Sequence, residues 1–162
     1  MDQPAAVSVI ELPPDFARWD DLLALIRRAF AYMDGIIDPP SSANSLTHEG
    51  LRHKARHEEV LLAVDNSRIV GCVFALERTD DFYVGKLAVE PGRQGQGIGG
   101  RLLQAIDDIA RRRGKEAIEL QTRIELAANH ETFARFGFRE TERTAHEGYN
   151  RPTSITMRKV LS

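Results

Sequence analysis

The sequence predicts an α/β (α+β) domain built on a central mixed, mainly antiparallel sheet flanked by helices. Its apolar period switches along the chain between about 3.6 and about 2 residues. The resulting order is strand, two helices, three strands, helix, strand, helix, two strands. Three successive strands joined by short polar turns make an antiparallel meander, and one strand–helix–strand step after it makes the sheet mixed. At 162 residues the chain is one domain's worth, spanning 1–162, and buries about 70% of its unfolded surface without staples.

The elements follow in order. Val7 to Glu11 is short and β-branched, a strand stopped by Pro13 and Pro14. A helix fits Asp15 to Met33, because Phe16, Trp19, Leu22, Leu23, Ile26, Phe30 and Met33 fall into one apolar stripe. Asp34-Gly35 ends it, and Asp38-Pro39-Pro40-Ser41-Ser42 is a loop by its turn chemistry. Thr47 suits the N-cap of a second, polar helix through Glu58. Val60 to Val64, Arg68 to Leu76 and Phe82 to Glu90 are the meander strands, separated by Asp65-Asn66-Ser67 and by Arg78 to Asp81. From Ile98 the helical period returns through Leu102, Leu103, Ile106 and Ile109. Arg111, Arg112 and Arg113 complement the dipole at its end, and Gly114 closes it. Glu116 to Thr122 alternates as a strand. Asn129 is expected to cap a short helix through Phe136, closed by Gly137. Strands at Arg139 to His146 and Thr153 to Val160 finish the chain.

Composition excludes several function classes. Lysine plus arginine is 22 and aspartate plus glutamate 24, a formal charge of −2, so neither nucleic acid nor an anionic membrane has an electrostatic hold. The longest apolar run, Ile69 to Leu76, falls far short of the ~20 residues that span a bilayer. Asp2, with no basic segment before an apolar stretch, argues against a signal peptide, and a cytoplasmic protein is expected. The lone Cys72 rules out an internal disulfide and reads as a buried, inert thiol. His53 and His57 share a helix face at metal-ligand spacing, but Arg52, Lys54 and Arg56 oppose a cation there. No metal site is expected.

The informative stretch is Glu90 to Arg101, EPGRQGQGIGGR. A strand ends, the chain turns through glycines, and a helix begins. Four of the six residues from Gly95 to Gly100 are glycine, which lets an anion approach turn amides at the positive end of a helix. That is a phosphate cradle. Gly92 and Gly97 have P-loop spacing, but Ile98 stands where the lysine belongs. Gly95, Gly97 and Gly100 match a dinucleotide fingerprint, and Glu119 lies at about the expected distance. Against it, Pro91 to Gln94 separate strand from glycine, and the surrounding units are not a βαβ array.

The string Gln94-Gly95-Gln96-Gly97-Ile98-Gly99 resembles the Q/R-x-x-G-x-G/A motif of the GNAT superfamily of N-acetyltransferases. Lys86 to Pro91, KLAVEP, resembles the strand that introduces that motif. Asn129 with Phe133 to Phe138, FARFGF, resembles the family's terminal motif. The element order is also the family's, so the resemblance covers nearly the whole chain. It implies that the fourth and fifth strands splay and that acetyl-CoA lies in the gap. Leu87, Ala88 and Val89 would pair with the pantetheine arm. The amides of Gln94, Gly95, Gln96, Gly97, Ile98 and Gly99, with Gly100 behind them, would hold the pyrophosphate. Arg93 and Arg101 are candidates for the remaining phosphate charge, and Asn129 for the thiol end beside Phe133.

The implied reaction is direct acetyl transfer to a primary amine, with a small molecule as the expected acceptor and self-association as a homodimer left open. The Val89 amide is the candidate oxyanion donor. Phe133 stands where many members carry a tyrosine that protonates the thiolate, so the acid is open among Tyr83, His146 and Tyr149. The base is open among Glu90, Glu125 and a water chain. Tyr32, Asp34 and Asp38 are candidates to meet a cationic amine, with the tail from Tyr149 to Ile155 approaching from the other side. A second reading, a non-catalytic acyl-CoA-binding sensor, stays open because Phe133 has no proton to give.

Overall fold

The computed structural model describes residues 7–162. Along the chain it runs β1 (Val7–Glu11), α1 (Trp19–Phe30), α2 (His48–His57), β2 (Glu59–Asp65), β3 (Arg68–Glu77) and β4 (Asp81–Val89). Then come α3 (Ile98–Arg112), β5 (Ala117–Arg123), α4 (Ala127–Arg135), β6 (Arg139–Thr144) and β7 (Ser154–Val160). The strands form one open seven-stranded sheet in the order β1-β2-β3-β4-β5-β7-β6. All neighbours are antiparallel except β4 and β5, whose connection through α3 reverses direction twice.

The amphipathic stripes decide which helix covers which face. Leu22, Leu25 and Ile26 of α1 bury against Leu62, Cys72 and Phe74, with Leu51 of α2 beside them. Leu102, Ile106 and Ile109 of α3 bury against Val70, Val73, Phe82 and Ile118 on the opposite face. The sheet is therefore covered on both sides at its centre.

What positions the site is a break in the ladder. β4 and β5 pair only from Asp81↔Ala117 to Val84↔Leu120. A bulge opposite Phe74 and Ala75 of β3 bends β4 at that point. Beyond it the two strands diverge into a V. Its closed end is clamped by charge: Asp81 accepts from Arg78 Nε at 2.6 Å and from Arg158 Nη1 at 2.7 Å, and Glu119 accepts from Arg78 Nη2 at 2.9 Å.

Local boundaries depart from expectation in four places. The first helix starts at Trp19, not Asp15, because the Phe16 amide closes a turn onto the Pro13 carbonyl at 3.1 Å. It also ends at Phe30, and Ala31–Met33 tightens into a 3₁₀ turn. Asn129 is no cap: α4 already begins at Ala127 behind Leu126. The sixth strand stops at Thr144, which leaves His146 in the following loop.

Candidate active site

The V opens into a cleft of about 930 Å³ running from the glycine loop to the segment between α1 and α2. Its floor is the unpaired half of β4. The Glu90 amide donates to the Val70 carbonyl at 2.9 Å, so alternation turns the backbone groups of Ala88 toward β3 as well. The close approach of the Ala88 carbonyl to Gly71 agrees. Leu87 and Val89 therefore present their N–H and C=O to the gap. Of the three strand residues expected there, Ala88 serves the ladder instead, and its side chain is buried among the α1 contacts.

The glycine loop forms as its sequence demands. Gly95 and Gly97 take φ of +82° and +78°, values L side chains adopt only at a cost. Gly97 thereby becomes the N-cap of α3. Among the described residues, no amide from Gln94 to Gly100 donates to a protein acceptor. Gln94, Gly95, Gly97, Ile98, Gly99 and Gly100 line the cleft. Gln96 does not line it; its side-chain oxygen accepts from Arg93 Nε at 2.9 Å, while Arg93 Nη1 bonds Asp65 at 2.8 Å and braces the loop from behind. Arg101 is turned away, donating to the Val7 carbonyl at 2.7 Å.

At the other wall, Asn129 donates to the Tyr32 hydroxyl at 3.2 Å, and both line the cleft. Phe133 also lines it, its ring 6.0 Å from that of Phe138. His146 lines it from the loop after β6, held by the Thr153 hydroxyl at Nδ1. Burial first, then the charge of Arg123, pulls its pKa below the ordinary value.

Several candidates are placed elsewhere. Tyr83 lies at the closed end of the V, its ring 5.2 Å under the Arg78 guanidinium, because it precedes the point of divergence. Tyr149 donates to Asp38 at 2.6 Å, and that carboxylate raises the phenol's pKa. Glu125 accepts from the Asp38 amide at 3.0 Å, and its other oxygen is buried without a partner. Glu90 is taken by Arg28 through two bonds of 3.1 and 2.8 Å. None of these five side chains' carboxylates or phenols lines the cleft. Burial pushes the Cys72 thiol up to about 12. The His57 Nδ1 faces its own helix at the His53 carbonyl, 2.8 Å away.

Lys86, Arg123 and Arg135 line the cleft and were not singled out from the sequence. Lys86 sits inside an apolar motif, and Arg123 falls one residue past the expected end of its strand. The polar position within KLAVEP was the available signal. No carboxylate lines the cleft among the described residues. None of their helices is long and apolar enough to cross a membrane.

The chain resembles known proteins at both levels. The structure superposes on the PaiA N-acetyltransferase of Thermoplasma acidophilum, solved with coenzyme A, at a TM-score of 0.81 and 16% identity, covering 96% of this chain and 99% of that one. The ribosomal-protein-S18-alanine N-acetyltransferase of Escherichia coli gives 0.75 and 20%, covering 97% and 95%. In sequence, 82 residues are 33% identical to N-alpha-acetyltransferase 30 of Schizosaccharomyces pombe, which is 48% of this chain and 55% of that protein. The chain thus spans about half the length of that curated relative. The sequence pattern of the acetyltransferase (GNAT) family matches residues 19–138. The chain belongs to the GNAT acetyltransferase family.

Proposed function

We propose that this protein is an acetyl-CoA-dependent N-acetyltransferase that transfers the acetyl group directly to a primary amine. The observation that carries this is the V in the sheet, with the free backbone of Leu87 and Val89 along one side and unpartnered amides from Gln94 to Gly100 at its end. Strand-edge groups suit an extended amide arm, and a helix start with free N–H groups suits a pyrophosphate. Acetyl-CoA supplies an acyl group already activated as a thioester. The C–N bond forms as the C–S bond breaks; the amine gives up a proton and the sulfur takes one.

Four groups of this chain serve those changes. The Val89 amide donates to the oxygen on which negative charge develops. His146, neutral near pH 7 because its pKa is lowered, accepts the amine proton at Nε2. Tyr32 is the only phenol among the described residues that lines the cleft, and it gives a proton to the departing sulfur in place of Phe133. Asn129 orients that hydroxyl through their 3.2 Å bond.

The acceptor is a compact amine. Asp38 ties the α1–α2 segment to the β6–β7 segment through Tyr149 at 2.6 Å and Arg151 at 3.0 Å, which joins two segments that line the cleft through Ser41, Ser42 and His146. The 33% identity with an N-alpha-acetyltransferase over 82 residues favours a second acceptor reading, a protein N-terminus. Phe133 favours a second functional reading, a non-catalytic acyl-CoA sensor.

Thermal unfolding with acetyl-CoA, coenzyme A and NADH in separate samples, followed by thiol release across an amine panel, tests the proposal. Coenzyme A species at ~100 times Kd add about 2.7 kcal/mol, several degrees for this size, and thiol is released with at least one amine. Stabilisation without thiol release supports the sensor. Stabilisation by NADH alone overturns both.

A further inference from the structure

The charged side chains lining the cleft are Lys86, Arg93, Arg123 and Arg135, all basic, and they fall into two groups. Arg93 braces the glycine loop, and Arg135 adjoins Phe136, whose ring covers Gly100. That end faces phosphate. Lys86 and Arg123 lie on β4 and β5 past their divergence, at the acyl and acceptor end, where a thioester offers no negative charge.

Neither cation has a counter-ion within 4.0 Å among the described residues. Lys86 is half-buried, donates to the Ser42 hydroxyl at 2.9 Å, and stands 5.7 Å over the Phe30 ring. Two of its three N–H groups stay unspent. The acid that acts on it from farther off, Glu58, is paired through Oε2 with Lys54 at 2.6 Å. Arg123 donates to two neutral carbonyls, Pro39 at 2.6 Å and Pro40 at 3.1 Å. The acids expected to greet a cationic amine are engaged elsewhere: Asp34 with Asn44 at 3.3 Å and Asp38 with Tyr149 and Arg151. Burial and the neighbouring Lys54 hold the Lys86 pKa below its ordinary value, against the opposing pull of Glu58.

Resting on the acetyltransferase reading, we propose that the acceptor is an amine bearing a carboxylate close to the reacting nitrogen, held by Lys86 Nζ with Arg123 adding to the field. An anionic substrate group restores charge balance in a half-buried cleft. The same cations disfavour a protonated amine beside them, which promotes the nucleophilic form. A free amino acid and a peptide whose second residue is acidic share this chemistry.

Calorimetry on the coenzyme A-loaded protein separates the sources, using matched N-acetylated products. N-acetylglycine is compared with N-acetylglycinamide, and N-acetyl-Ala-Asp-Gly-amide with its Asn counterpart. The carboxylate member of one pair binds about tenfold or more tightly; the first pair identifies an amino acid, the second a peptide. Lys86→Met brings that ratio near one, whereas Lys86→Arg keeps it. Equal binding within both pairs, no product binding, or an unchanged ratio in Lys86→Met overturns the inference. Failure of coenzyme A itself to bind overturns the acetyltransferase reading as well. Coenzyme A binding with thiol release from neutral amines alone overturns only the acceptor inference.

Discussion

At the scale of single residues, the proposed chemistry turns on a phenylalanine with no proton and a tyrosine about a hundred residues earlier. Phe133 and Tyr32 both face the cleft, and only Tyr32 carries an acid. Tyr32→Phe is expected to lower kcat about a hundredfold, the usual range for losing a general acid, with coenzyme A affinity by calorimetry little changed. His146 gives a pH signature. Burial and then Arg123 hold its pKa below 6.5, so the neutral imidazole predominates above that depressed value. The kcat/KM profile therefore falls as pH drops through it, and His146→Gln abolishes that limb. A retained limb assigns the base elsewhere. The glycine loop that lines the cleft was legible because its geometry resides in consecutive letters. Tyr32 and Lys86 were not assigned these roles, since their partners, Asn129 and Ser42, are distant in sequence.

Elements were read well where one face is buried and poorly where a side chain serves something other than its own element. The stripe of α1 was correct through Leu22, Leu23 and Ile26, while its start was misplaced because a turn through Pro13 to Phe16 precedes it. Asn129 has the chemistry of a cap, yet its amide reaches across to Tyr32. The glycine loop is the element whose sequence and geometry agree most closely. Gly97→Ala places a methyl group on a residue at φ +78° and costs about 1 kcal/mol, a fall of roughly 3 °C in Tm for this size. Gly114→Ala meets the same backbone strain, at φ +70°, beyond the far end of α3. The first variant is expected to weaken coenzyme A binding and the second to leave it intact. Equal losses would remove the loop from the binding site.

Across the whole molecule, the V is held by its closed end. Asp81, with its side chain 9% exposed between Arg78 and Arg158, is the centre of that clamp. Hydrogen bonding from Arg78, above all, and from Arg158 lowers its pKa despite burial. Its contribution is complete above the unfolded carboxyl value of about 3.9 and drains away as pH falls through the lower folded value. Asp81→Asn is expected to cost about 3 kcal/mol at neutral pH, by leaving Arg78 and Arg158 to share the single carboxylate of Glu119. Acid titrations of stability then converge for variant and wild type at low pH; parallel curves would contradict the clamp. The antiparallel meander and the single crossover were legible from turn lengths, but the point of divergence was not, because a bulge depends on register across two strands.

The gap between β4 and β5 is also an open edge inside the sheet. The outer strand β6 defends its edge with Arg139, Glu140, Glu142 and Arg143, the alternating charge that repels a stray strand. Inside the V, the unpaired edge runs past apolar Leu87 and Val89, and the charges that flank it are the cations Lys86 and Arg123. An extended segment that occupies this edge must lay its backbone against Leu87 and Val89 and accommodate those two cations. On the proposed reading, the cofactor that feeds the chemistry also caps this open edge of the sheet.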